Sequence, residues 1–315
     1  MSSSTTSTPA GAPTAGAPAS SAGAGTLLMA DDGRQLAASW FEPQHGPARA
    51  VALVSPATGA PRGFYRAFAM WLTERGYAVL TYDYRGIGGS RRGALRQEPA
   101  TMRDWAGLDM SAALAAAEAR RATQGLPLLL VGHSFGGNAI AFARGVERAD
   151  ALLAVGSQLG VPVYYPGVHR WLAHLFFRGI VPATVPLVGY LPGWTMGGSA
   201  PLPAGVARQW AHWGRMKGWA YDDPAMREHR AASALAVPVH LWDVSDDLTF
   251  APARAVDALA EQFRNAAVQR HTLRPADVGQ VRLGHFGVFR REPGPRAWAP
   301  MLDRLEAATL TLRPR

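Results

Sequence analysis

The sequence predicts an α/β protein, with a mostly parallel central sheet, helices on both faces and an inserted cap. Three observations carry that expectation. Short apolar runs of strand length alternate with helix-like segments along most of the chain. One such run, Leu128-Leu129-Leu130-Val131, ends in Gly132-His133-Ser134-Phe135-Gly136 and is followed by a small-residue run suited to a helix. Between Gly160 and about Arg230 the alternation stops, tryptophans cluster, and prolines and glycines interrupt the helices. The expected division is a disordered tail over 1–25, a first core segment over 26–159, a cap over 160–230 and a second core segment over 231–315.

Taken in order, residues 1–25 are almost all Ser, Thr, Ala, Gly and Pro, with too little side chain to offset the entropy of ordering. They lack a basic start and a continuous apolar core, so no signal peptide is expected and the chain reads as cytoplasmic. Thr26–Ala30 and Leu36–Phe41 flank Asp31-Asp32-Gly33 as a hairpin. Ala50–Val54 is the next strand, and the loop Ser55–Pro61 follows it. A helix is expected over Tyr65–Arg75, then a strand over Tyr77–Tyr82. The glycine-rich loop Asp83–Ser90 lacks the lysine and spacing of a phosphate-binding loop, so Asp83 reads as structural. A long alanine-rich helix is expected over Met102–Ala122. Gly125-Leu126-Pro127 resets the chain before the Leu128 strand. Ala151–Gly156 is another buried strand. Beyond the cap, Val237–Trp242 and Ala267–Leu273 are strands on either side of a helix over Ala253–Phe263. A terminal helix near Arg296–Leu310 and a frayed Arg313-Pro314-Arg315 complete the chain.

The chemistry centres on Ser134. A serine hydroxyl is a weak nucleophile at neutral pH and needs a base and an oxyanion site. Strand, sharp turn and helix, with serine at the apex, is the setting that exposes such a hydroxyl. Gly132 and Gly136 allow the close approach of strand and helix. Phe135 N–H, next in the chain, faces the developing oxyanion. His285, in a glycine-containing loop after the last strand, is the best-placed base among nine histidines. An acid is expected after a late strand, where Asp246 and Asp247 both qualify; Asp246 is preferred, and Asp247 is the alternative. Asp243 lies too near the strand end. His133 is expected to pack or hydrogen-bond beside the site. The tryptophans Trp171, Trp194, Trp210, Trp213 and Trp219 are candidates for an apolar substrate pocket, with most expected to serve a small core.

Bulk properties narrow the alternatives. The 315 residues are 48% hydrophobic, as in globular proteins, with no uninterrupted apolar run of membrane-spanning length. The absence of cysteine excludes disulfides, thiolate metal sites and cysteine nucleophiles. No histidine–carboxylate group has metal-site spacing, and neither metal nor cofactor is expected. The net charge of +9 comes from scattered arginines, with Lys217 the single lysine; it reads as general solvated surface without a specific nucleic-acid partner.

These residues together resemble the α/β-hydrolase superfamily over nearly the whole of 26–315. The resemblance rests on Gly132–Gly136, the Asp83–Ser90 loop, Asp246 and His285, in the chain order Ser134, Asp246, His285. Pro56-Ala57-Thr58-Gly59 and Gly284-His285-Phe286-Gly287-Val288-Phe289-Arg290 are similar to a bacterial group of predicted α/β-hydrolases. That group is distantly similar to serine aminopeptidases and monoacylglycerol lipases. Many relatives carry His-Gly where this chain has Pro56-Ala57-Thr58. The resemblance implies that Thr58 N–H, or alternatively Ala57 N–H, is the second oxyanion donor beside Phe135 N–H.

The function expected is a serine hydrolase that cleaves a small-molecule carboxylic ester through an acyl-enzyme. The same residues serve an amidase or peptidase, carbon–carbon cleavage or an acyltransferase. A non-catalytic small-molecule binder, and an anionic-surface binder resting on charge alone, are the readings from other classes. The sequence is silent on oligomeric state and acyl chain length.

Overall fold

The computed structural model describes residues 23–229 and 235–310. Most of the expected tail, the seam at Arg230 and the expected frayed end Arg313–Arg315 lie outside the described residues. Among the described residues ten strands form: β1 (Ala24–Met29), β2 (Gln35–Phe41), β3 (Ala50–Ser55), β4 (Tyr77–Tyr82), β5 (Leu128–His133), β6 (Ala151–Val155), β7 (Tyr190–Leu191), β8 (Leu202–Pro203), β9 (Val239–Val244) and β10 (Val268–Leu273). The helices are α1 (Arg66–Thr73), α2 (Met102–Asp104), α3 (Met110–Ala122), α4 (Phe135–Ile140), α5 (Gly167–Leu175), α6 (Val181–Val188), α7 (Ala204–Trp213), α8 (Ala253–Ala260), α9 (Gly284–Gly287) and α10 (Gly294–Leu310).

Eight strands form one sheet in the order β1-β2-β4-β3-β5-β6-β9-β10. The first two run antiparallel as the expected hairpin, and from β4 to β10 neighbours run parallel. β1 begins at Ala24, inside the stretch read as tail, because even these small residues pair, with Ala24 opposite Trp40. β9 begins and ends two residues later than expected. Pro238 has no N–H to offer the ladder, and pairing with β10 continues to Val244. Asp243 is therefore inside the strand, where it meets Arg270 and Thr272.

Both faces of the sheet are apolar, as a parallel sheet between helices requires. In β5, Leu128 and Leu130 pack with the α3, α4 side, while Leu129 and Val131 pack with α1 and α10 on the other. The long alanine-rich helix forms as expected, with a π-turn over Trp105–Asp109 between α2 and α3. Its start is a capping box at Thr101 and Asp104.

The chain order reverses beside β5, with β3 on one side and β6 on the other. In open α/β sheets the crevice outside the strands' carboxyl ends at such a switch point is where ligands bind. Ser55 pairs with Gly132 and His133 with Val155, so β3, β5 and β6 end nearly flush. Between β6 and β9, which are neighbours in the sheet, the chain makes a helical insertion containing α5, α6, α7 and the small β7–β8 pair.

Candidate active site

Ser134 stands at the switch point, between β5 and α4. Its backbone has φ 52° and ψ −120°, a conformation that side-chain-bearing residues rarely adopt. The strain is held by Ser134 N–H donating to Val155 O at 2.9 Å and by Ser134 O accepting from Gly137 N–H at 3.0 Å. The glycines are steric necessities. A Cβ on Gly132 would lie 2.3 Å from Gly137 Cα, and one on Gly136 would lie 2.1 Å from Ser55 O. Helix α4 can thus sit directly on the ends of β3 and β5.

The loop after β10 brings in His285, which is buried beside Gly156 at the end of β6. Its Nδ1 meets Asp247 Oδ2 at 2.5 Å. The imidazole is thus met by Asp247, the alternative acid, and not by the preferred Asp246. Ser245 N–H donates to Leu273 O and Asp247 N–H to Val244 O, making a tight turn in which consecutive side chains diverge. Asp247 points at the imidazole. The Asp246 carboxylate accepts Leu283 N–H at 2.9 Å and Gly284 N–H at 3.0 Å. Burial alone would raise the Asp247 carboxyl, but the adjacent His285 and the Phe250 and Ala251 N–H groups overcome it and hold the carboxyl below its ordinary value. Among the described residues no hydrogen bond joins Ser134 Oγ to His285.

His133 belongs to a buried chain of hydrogen bonds whose other member, Tyr65, sequence reasoning missed. Ala57 N–H donates to Tyr65 Oη at 2.8 Å, and Tyr65 Oη lies 2.8 Å from His133 Nδ1. His133 Nε2 lies 3.0 Å from His285 O. One neutral tautomer satisfies every link: Tyr65 O–H donates to Nδ1, and Nε2–H donates to the carbonyl. Burial, reinforced by neighbouring His285, lowers the His133 pKa well below its ordinary value and keeps the ring neutral.

The same chain distinguishes the two backbone N–H groups named after β3 by their partners. Ala57 N–H donates to Tyr65. Thr58 N–H and Phe135 N–H have no acceptor among the described residues. The Thr58 loop is fastened to the insertion by Ala200 N–H donating to Gly59 O. Asp83 is structural: its carboxylate takes Arg62 N–H and Gly89 N–H and pairs with the Arg62 guanidinium.

A cavity of about 200 Å3 opens between the insertion and the core, with Gln158, Leu172, Phe176, Met196, Trp210 and Phe250 in its wall. Phe250 also packs 5.0 Å from the His285 ring, so cavity and histidine share a side chain. Gln158 Nε2 is fixed on Phe250 O, while its buried Oε1 has no partner among the described residues. Of the five candidate tryptophans, Trp210 alone lines this cavity. Trp213 is buried with its indole N–H on Asp223, and Trp219 packs on Trp213 and Phe135. Trp171 and Trp194 are surface residues, 72% and 76% exposed. Indole type reported apolar packing but not its direction. Among the described residues no group of His, Asp and Glu could hold a metal.

The family model of serine aminopeptidase S33 matches residues 46–269. No curated protein matches the chain. Several solved structures share its fold. A soluble variant of monoglyceride lipase from Saccharomyces cerevisiae, in complex with a substrate analog, has a TM-score of 0.62 and 14% identity, covering 93% of this chain and 98% of its own. An esterase of Pyrococcus furiosus has a TM-score of 0.57 and 12% identity, covering 90% and 91%. A thermophilic esterase from Thermogutta terrifontis has a TM-score of 0.53 and 19% identity, covering 91% and 99%. At these identities the likeness is one of fold, and the fold is that of the α/β-hydrolases.

Proposed function

We propose that this chain, which belongs to the serine aminopeptidase S33 family, is a serine hydrolase that cleaves a carboxylic ester through an acyl-enzyme. The observation that carries this is Ser134 on its strained turn at the sheet's switch point, with the His285–Asp247 pair at the neighbouring strand ends. Ser134 Oγ attacks the ester carbonyl as His285 Nε2 takes its proton. Asp247 holds Nδ1–H, fixes the tautomer and stabilises the imidazolium. Phe135 N–H and Thr58 N–H receive the oxyanion. His285 returns the proton to the leaving alcohol, then activates a water that releases the acid and regenerates Ser134. The unformed Ser134–His285 bond is compatible with this, because catalytic hydrogen bonds often tighten only when substrate binds.

The family description raises the second reading, an aminopeptidase. Holding a substrate α-ammonium calls for carboxylate partners. Among the described residues no acidic side chain lines the cavity, and none occurs in the sequence from Ala151 to Tyr221. An uncharged acyl or alcohol group fits that wall better. A fluorophosphonate probe tests the nucleophile: it should label the protein and fail to label Ser134→Ala, and equal labelling of both would sink Ser134. Turnover of p-nitrophenyl butyrate against an aminoacyl p-nitroanilide tests the substrate class, with the ester expected to be the better substrate.

A further inference from the structure

Helix α5 carries Val168, Trp171, Leu172 and Leu175, spaced i, i+3, i+4 and i+7, which is one continuous face. In a surface helix of a globular domain that stripe turns inward. Here it turns outward: no residue of α5 is buried, and all four side chains are exposed. Val163, Leu187 and Trp194, in the same insertion, are exposed as well. The 22-residue run Gly167–Val188 holds an 18-residue window of mean hydropathy 1.4, enough by length and composition alone to cross a bilayer. Arg170 and Arg178 punctuate it, which is why it escapes a search for an uninterrupted apolar run. It does not stand apart as a span, because Phe177, Val181 and Val185 in its second half are buried in the domain.

Charge distinguishes the same region. Between Asp150 and Asp222 there is no acidic residue, while Arg170, Arg178, Arg208, Arg215 and Lys217 are basic. Five cations less no anions make +5 of the chain's formal +9. Arg178 follows the apolar stripe in the chain, and Arg178, Arg208, Arg215 and Lys217 are exposed. An outward apolar helix face, an exposed tryptophan and an excess of arginine match the chemistry of an interfacial helix. A second copy meeting this face symmetrically would set like charges together. A nucleic acid would satisfy the cations and leave the apolar stripe in water. We propose that this face docks on the surface of an anionic lipid bilayer, with α5 lying in the headgroup layer. Leu172 and Leu175 also line the cavity, so the docked face carries the cavity mouth to the lipid. The docking does not depend on the hydrolase reading.

Flotation of the full chain with vesicles tests this, using equal parts phosphatidylglycerol and phosphatidylcholine against phosphatidylcholine alone. Ser134→Ala protein is run in parallel so that turnover plays no part. Both proteins should float with the anionic vesicles, about tenfold more strongly than with the neutral ones. The double variant Val168→Asp, Trp171→Asp should lower the anionic partitioning about tenfold or more. Neither side chain lines the cavity, and an unchanged circular-dichroism melt shows that the variant folds. Arg178→Glu should weaken partitioning to anionic but not neutral vesicles. Absence of flotation overturns the proposal. So does binding that the double aspartate variant leaves intact, equal retention on heparin that about 0.5 M salt abolishes, or self-association that the same variant removes.

Discussion

His285 and the two residues before it are held by consecutive carboxylates. Asp247 takes the ring and Asp246 takes the backbone of the residues before it. Their replacements should therefore fail differently. Asp247→Asn keeps the shape but reverses the hydrogen bond at Nδ1, and kcat on a p-nitrophenyl ester should fall about 10³–10⁴-fold with little change in melting temperature. Asp246→Ala leaves two backbone N–H groups without their acceptor. It should cost about 1–3 kcal/mol in urea unfolding, with a smaller loss of kcat. Equal kinetic losses would erase the distinction. Tyr65→Phe tests the buried chain behind the site, since it removes both the acceptor of Ala57 N–H and the donor to His133. The expected cost is again about 1–3 kcal/mol. Ser134 and His285 were legible as candidates because each sits in a local pattern. The acid's identity turns on two backbone hydrogen bonds in one turn, and Tyr65 lies 68 residues from His133 with no local sign of its partner.

At the level of elements, what the sequence displays best is what sterics make obligatory. The elbow was readable because Gly136 has no room for a Cβ, which would sit 2.1 Å from Ser55 O. Gly136→Ala should cost about 3 kcal/mol or prevent folding, whereas Gly25→Ala, with nothing within 4 Å, should be nearly neutral; urea unfolding compares them. The parallel strands were readable from their two-sided apolar character, but β9 slipped by two residues because its register is set by partners. The β9–β10 pair also carries a pH signal. His240 and His271 stack, with Nδ1 and Nε2 3.1 Å apart. Burial, then Arg304, His240 and Arg270, pushes the His271 pKa down to about 4; burial and Arg304 lower that of His240. The unfolded chain takes up these protons near pH 6.5, and the folded one resists until lower pH. Stability is thus complete above about pH 6.5 and falls as pH drops toward 4. For the partly exposed His271 the loss is about 1 kcal/mol after solvent screening. Urea midpoints at about pH 7.5 and 5 should show the drop, and His271→Gln should reduce it.

For the molecule as a whole, the proposed hydrolase reading places specificity at the seam between the sheet and the β6–β9 insertion, where the cavity opens. The sequence marks the insertion through its tryptophans, but only folding separates Trp210 at the cavity from Trp171 and Trp194 at the surface. The cavity's volume of about 200 Å3 makes a quantitative demand. If this cavity receives the acyl chain, kcat/KM for p-nitrophenyl esters should rise from acetate to about hexanoate, by about 0.8 kcal/mol per buried methylene at most, and level or fall beyond. Trp210→Ala enlarges the wall and should move the optimum to longer chains. Gln158 Oε1 supplies a lone acceptor there, so a hydroxyl late in the acyl chain should be tolerated better than an ether of the same length. Rates that are flat from acetate to decanoate, unchanged in Trp210→Ala, would remove this cavity from the reaction while leaving Ser134, His285 and Asp247 in place.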